Sequence, residues 1–239
     1  MNRIKIERGH IMENNFSERI DGVIFDVDGV LLDSMPVWHD CGRIYLRKKG
    51  IDSPENLGDI LFSMTLEEGA RYIKEHFGLD ENIEEISQGI MDVVEGFYFN
   101  LPVAKEGAVQ LVKGLKEQGK KISVVSSTRS YCLKEAFRHL GIDGCFDVIV
   151  SCSENGRRSK EYPDAFFEVS EIMGTDPNRT WVIEDGLYSI KTAKEAGFKT
   201  VGIYDEVSKK DRKQMIELTD LYVDDPNQLA KIFFAKKEK

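Results

Sequence analysis

The feature that most constrains this chain is a repeated alternation, in which short apolar, β-branched runs give way to amphipathic helical segments. The runs Gly22–Asp26, Lys121–Ser126, Phe146–Ser151, Thr180–Glu184, Lys199–Tyr204 and Leu221–Val223 read as strands. Between them Gly107–Glu117, Ser130–Leu140, Pro163–Met173 and Ser189–Ala196 carry helical periodicity, and Gly119, Gly141, Gly174 and Gly197 follow as helix stops. Buried strands that alternate with helices predict a parallel sheet covered on both faces. The predicted class is α/β, with a Rossmann-like parallel sheet core.

The first strand breaks the rhythm. After it comes a long stretch with helical periodicity and no convincing strand, in which Val37–Gly50, Thr65–Phe77 and Glu84–Phe99 are the predicted helices. This predicts an inserted all-helical cap domain at residues 35–104 and a core built from 19–34 and 105–239, preceded by a polar extension at 1–18. Ligands of open parallel sheets bind beyond the carboxyl ends of the strands. An insertion leaving at that edge is expected to act as a lid.

The strand ends carry the chemistry. In Asp26-Val27-Asp28-Gly29 two carboxylates point the same way and a glycine follows where the chain must turn. A nucleophilic carboxylate beside a second carboxyl group is the equipment for a covalent phospho-aspartate, although aspartate and glycine are also ordinary turn residues. The second run ends in the Ser126 hydroxyl, and Ser127-Thr128 lead into a helix whose first N–H groups suit an anion. The same residues suit a helix cap, so both readings stay open. Lys160 lies just before Pro163-Asp164, a helix start, which puts a cation near the carboxyl edge of the sheet. The run Trp181-Val182-Ile183 ends in Glu184-Asp185-Gly186. Two unit charges ~4 Å apart repel by about 4 kcal/mol at an effective dielectric of about 20. Asp26, Asp28, Glu184 and Asp185 set against one lysine therefore demand a divalent cation, and hard oxygen ligands beside a phosphorylated substrate point to Mg²⁺.

Composition narrows the remaining classes. The 239 residues carry a net charge of −9, so nothing suggests nucleic acid as a partner. No apolar run approaches the roughly 18 residues of a membrane span, and the polar N-terminus lacks the apolar core of a signal peptide. Cys41, Cys132, Cys145 and Cys152 show no metal-ligand spacing and read as reduced thiols of a cytoplasmic protein.

In this order, Asp26-Val27-Asp28-Gly29, Ser126, Lys160 and Glu184-Asp185 resemble the four motifs of the haloacid dehalogenase-like hydrolase superfamily, in the branch that contains β-phosphoglucomutase and many small-molecule phosphatases. The resemblance covers Ile20 to about Asp225. It implies that Asp26 attacks phosphorus and carries the phosphoryl group, while Asp28 protonates the leaving oxygen and then activates water. It implies that Ser126 and Lys160 hold the phosphoryl oxygens. Mg²⁺ would be held by Asp26, the main-chain carbonyl of Asp28 and Asp185, with Glu184 joining directly or through water. The second aspartate argues against dehalogenation. Mutases of this branch carry basic residues in the cap for a second phosphate, but Asp59–Glu68 contains neither Lys nor Arg. Lys48, Lys49 and Lys74 lie on polar faces, against the Schiff-base lysine of phosphonoacetaldehyde hydrolysis.

The expected function is therefore a Mg²⁺-dependent phosphatase of a small sugar- or polyol-phosphate-like metabolite. A β-phosphoglucomutase-type enzyme is the alternative, with Arg43, Arg71 or Arg129 as substitute clamps. A catalytically silent phosphate-binding protein is less in keeping with the presence of both the first aspartate and the lysine. The segment Asp33–Trp38 resembles phosphatase members of the branch. Met35 and Trp38 line the substrate pocket in one reading and pack the hinge in the other.

Overall fold

A computed structural model describes residues 20–62, 64–100 and 102–235; the polar extension at 1–18 lies outside the described residues. The chain divides into two compact units, the segment Ser34–Pro102 and the remainder.

The inserted segment is helical: α1 (Met35–Lys48), α2 (Leu57–Leu61), α3 (Leu66–Phe77) and α4 (Ile83–Asn100). It has its own core, in which Leu46 of α1, Leu57 of α2, Ile73 of α3 and Ile86 of α4 are buried together. The start of α3 follows from its sequence: Thr65 and Glu68 form a reciprocal capping box. Among the described residues of the insertion, α2 goes beyond the predicted helices, because five residues are too few to display a period.

Among its described residues the other unit holds six strands, β1 (Gly22–Phe25), β2 (Lys121–Ser126), β3 (Val148–Ser151), β4 (Thr180–Glu184), β5 (Lys199–Ile203) and β6 (Leu221–Val223). They form one sheet in the order β3-β2-β1-β4-β5-β6, parallel throughout. Around it lie α5 (Ala108–Glu117), α6 (Ser130–Leu140), α7 (Asp164–Met173), α8 (Leu187–Glu195), α9 (Arg212–Leu218) and α10 (Pro226–Phe233). Ile24, Val125 and Val182 of the three central strands pack in one cluster with Phe166 and Val169 of α7 and with Phe198. The strand boundaries differ from expectation by a residue or two. Phe146 stays outside β3 because it follows a tight turn at Asp143–Cys145 and packs against Phe137, ring centroids 4.5 Å apart.

The strand order reverses at β1, which has β2 on one side and β4 on the other. Such a reversal opens a crevice at the carboxyl ends of the strands, where ligands of these sheets bind. Just past β1 the chain folds back on itself: Gly29 takes φ 79°, and its N–H donates to the Leu32 carbonyl at 3.0 Å. A side chain in that left-handed region would be strained. Leu32 then pairs with Ala104, Asp33 N–H donates to Val103 O at 2.8 Å and Lys105 N–H to Leu31 O at 2.9 Å. The outgoing and returning chain segments of the insertion are thus laced side by side. Among the described residues no helix is long and apolar enough to cross a membrane.

Candidate active site

Strand register assembles the site. Phe25 of β1 is level with Val124 of β2 and Ile183 of β4. One residue further on, Asp26 and Glu184 emerge side by side, and Ser126 ends β2 one residue beyond that. The loop before α7 brings in Lys160, which is 2% exposed. Its Nζ lies 2.9 Å from Asp26 Oδ1 and donates to Glu184 Oε1 at 2.5 Å. Asp185 follows on the same turn and is buried as well. Carboxylate oxygens of Asp26, Glu184 and Asp185 lie within 4.8 Å of one another.

Three buried carboxylates share one ammonium, and the titration behaviour reflects that imbalance. Burial and then the Glu184 charge push Asp26 well above the usual carboxylate range, against the pull of Lys160. Burial and Glu184 likewise raise Asp185 to about 7. Lys160 itself is held cationic: burial disfavours its charge, but Asp26 and Glu184 more than reverse that. The surplus negative charge must be met by protons or by a cation. A set of hard carboxylate oxygens, close together and shielded from water, fits a divalent metal ion.

The remaining predicted residues divide between the two units. In the sheet unit, the Asp28 carboxylate stands outside the acidic triple and accepts from Thr128 Oγ1 at 2.7 Å. Ser126 is buried, with Oγ accepting from the Thr128 N–H at 3.0 Å, while Ser127 is exposed. In the helical unit, Met35 begins α1 and is half-buried. Trp38, also half-buried, donates from Nε1 to the Tyr98 hydroxyl at 2.9 Å and so ties α1 to α4. Of the substitute clamps, Arg43 pairs with Asp40 at 3.2 Å and Arg71 with Glu67 at 2.9 Å, each within its own helix, and Arg129 donates to the Tyr131 hydroxyl at 3.3 Å.

Several neighbours escaped the sequence reading. Ser189, fully buried in the first turn of α8, donates to Glu184 Oε1 at 2.6 Å. Ser208 donates to Asp185 Oδ2 at 3.3 Å, and the turn that carries it is held by Asp205, whose Oδ1 accepts from Val207 N–H at 3.0 Å. Asp205 in turn pairs with Lys105 at 2.8 Å. Nothing local in the sequence marks a contact across that separation.

Fold and site together define an α/β enzyme with a buried acidic centre at the carboxyl edge of a parallel sheet, at the point where strand order reverses. The model of the haloacid dehalogenase-like hydrolases matches residues 23–203, and the chain belongs to that family. It is 24% identical over 214 residues to a phosphorylated carbohydrates phosphatase of Thermotoga maritima, covering 89% of this chain and 98% of the relative. It is 28% identical over 195 residues to a fructose-1-phosphate phosphatase of Escherichia coli, covering 78% of this chain and 97% of the relative. In fold it is similar to the β-phosphoglucomutase of Clostridium difficile, with a TM-score of 0.63 at 24% identity over 88% of this chain and 93% of that one.

Proposed function

We propose that this chain hydrolyses the phosphate monoester of a small metabolite of sugar or polyol type, through an aspartyl-phosphate on Asp26. The observation that carries the reading is Asp26 itself, a buried carboxylate at the sheet's switch point, 2.9 Å from the cationic Lys160 and beside two further acids. Relatives that act on phosphorylated carbohydrates and on fructose 1-phosphate support the substrate class. A cytoplasmic setting belongs to the same reading.

The Asp26 carboxylate forms the new bond to phosphorus as the bond to the leaving oxygen breaks, and Asp28 supplies that oxygen with a proton. Asp28 then takes a proton from the water whose oxygen attacks the phosphoryl group, which frees Asp26 and releases phosphate. Ser126 and Lys160 hold the phosphoryl oxygens, with Lys160 offsetting the charge that develops there. Mg²⁺, held by Asp26, Asp185, Glu184 and the Asp28 carbonyl, would supply the remaining charge neutralisation.

The test is phosphate release from a panel of sugar and polyol phosphates with Mg²⁺. The expected outcome is turnover of at least one of them, and none by Asp26→Asn, whose melting temperature stays within a few degrees of the wild type. Activity retained by a clean Asp26→Asn preparation overturns the mechanism. Given β-glucose 1-phosphate with catalytic glucose 1,6-bisphosphate, the enzyme should release phosphate or do nothing. Glucose 6-phosphate accumulating faster than phosphate would make it a mutase.

A further inference from the structure

Thr128 touches both halves of the proposed machinery. It is 6% exposed, at the turn between β2 and α6. Its N–H donates to Ser126 Oγ at 3.0 Å, and its hydroxyl donates to Asp28 Oδ2 at 2.7 Å. The first bond occupies a lone pair of the Ser126 oxygen and leaves that hydroxyl's proton for an anion. The second fixes a carboxyl group that is itself only half-buried and sits on the turn after β1. One residue thus spans the gap between the end of β2 and the turn after β1.

We propose that Thr128 is a positioning residue for the reaction: its hydroxyl holds Asp28 in the orientation from which the carboxyl group delivers a proton to the leaving oxygen. The inference rests on the phosphatase reading above. A hydroxyl donating to one carboxyl oxygen fixes the side-chain torsions and turns the other oxygen toward a definite direction. General acid catalysis needs that precision, because the proton must lie within hydrogen-bond reach of the atom it serves. Thr128 touches neither substrate nor metal in this scheme; it acts through Asp28.

The consequence depends on the leaving group. An alkoxide leaves poorly without a proton, whereas p-nitrophenolate leaves without one. The ratio kcat/KM reports the steps up to release of the alcohol and is blind to the later breakdown of the aspartyl-phosphate. Thr128→Val removes the hydroxyl and keeps the shape. It should lower kcat/KM for an alkyl phosphate substrate about tenfold or more, the scale of a lost hydrogen bond to a charged group. For p-nitrophenyl phosphate the fall should be no more than about threefold. Thr128→Ser, which restores a hydroxyl at that position, should recover most of the loss. If Thr128→Val does not fold, Thr128→Ala is read by the same ratio.

Equal losses for the two substrates, or no recovery in Thr128→Ser, would show that Thr128 only supports the turn. An unchanged or higher alkyl-phosphate rate in Thr128→Val would show that the bond restrains Asp28 in an idle orientation. Either result overturns the proposal. Absence of phosphatase activity in the wild-type protein would instead overturn the function on which it rests, so the two failures are distinguishable.

Discussion

Glu184 Oε1 accepts from both Lys160 and Ser189, so this carboxylate is already committed to holding the lysine in place. Asp185 differs: its Oδ2 accepts the weaker contact from Ser208 at 3.3 Å. Of the two adjacent acids, Asp185 is therefore the one whose loss should fall on the metal and not on Lys160. Asp185→Asn is expected to raise the Mg²⁺ concentration needed for half-maximal activity by about tenfold or more, while shifting substrate KM less. A Mg²⁺ titration of the melting temperature checks the same point without turnover, since a ligand that binds the folded state raises its stability by mass action. In that titration the variant should respond only at higher metal. The acids were legible in the sequence because each ends an apolar strand, where an unpaired charge is costly and conspicuous. Thr128, Ser189 and Ser208 were not, because hydroxyl residues near helix starts have ordinary capping duties and only the folded distances separate the two roles.

At the scale of elements, Asp220 joins three pieces of the sheet edge. Its Oδ2 accepts from the Thr200 N–H at 2.9 Å and Thr200 Oγ1 at 3.1 Å on β5, and its Oδ1 pairs with Lys194 of α8 at 2.6 Å, just before β6 begins. Burial alone would raise its pKa, but Lys194 and the Thr200 donors outweigh that and hold it below the ordinary carboxylate value. A carboxylate depressed in the folded state contributes stability above its unfolded pKa, about 3.9, and that contribution is lost as pH falls through the folded value. Asp220→Asn should therefore melt a few degrees below the wild type at pH 7, with the gap closing below about pH 4. A gap that does not change across this range would assign the effect to packing. The strands themselves were legible because parallel strands buried on both faces read as near-continuous apolar runs. The turns that aim α9 and α10 were less so, since their anchors, Asp220 and Asp225, look like any surface acid until the bonds to Thr200 and Gln228 are seen.

For the whole molecule, the laced backbone at Leu31–Asp33 and Val103–Lys105 keeps the two ends of the insertion together within the sheet unit. The helical unit has its own buried cluster, and the sheet unit has another. Replacing residues 35–101 with a short Gly–Ser linker is expected to leave a chain that unfolds cooperatively and keeps its α/β circular dichroism, because the closure entropy of that loop is already met by the lacing and grows only slowly with length. Loss of a cooperative transition would show that the sheet depends on the helices it lost. The lacing also bears on descent. A fold whose side branch is tied off at its base can accept a longer, shorter or reshaped branch in a single genetic event without disturbing the trunk. Lineages built this way can try new substrate preferences while inheriting the bond-breaking apparatus unaltered.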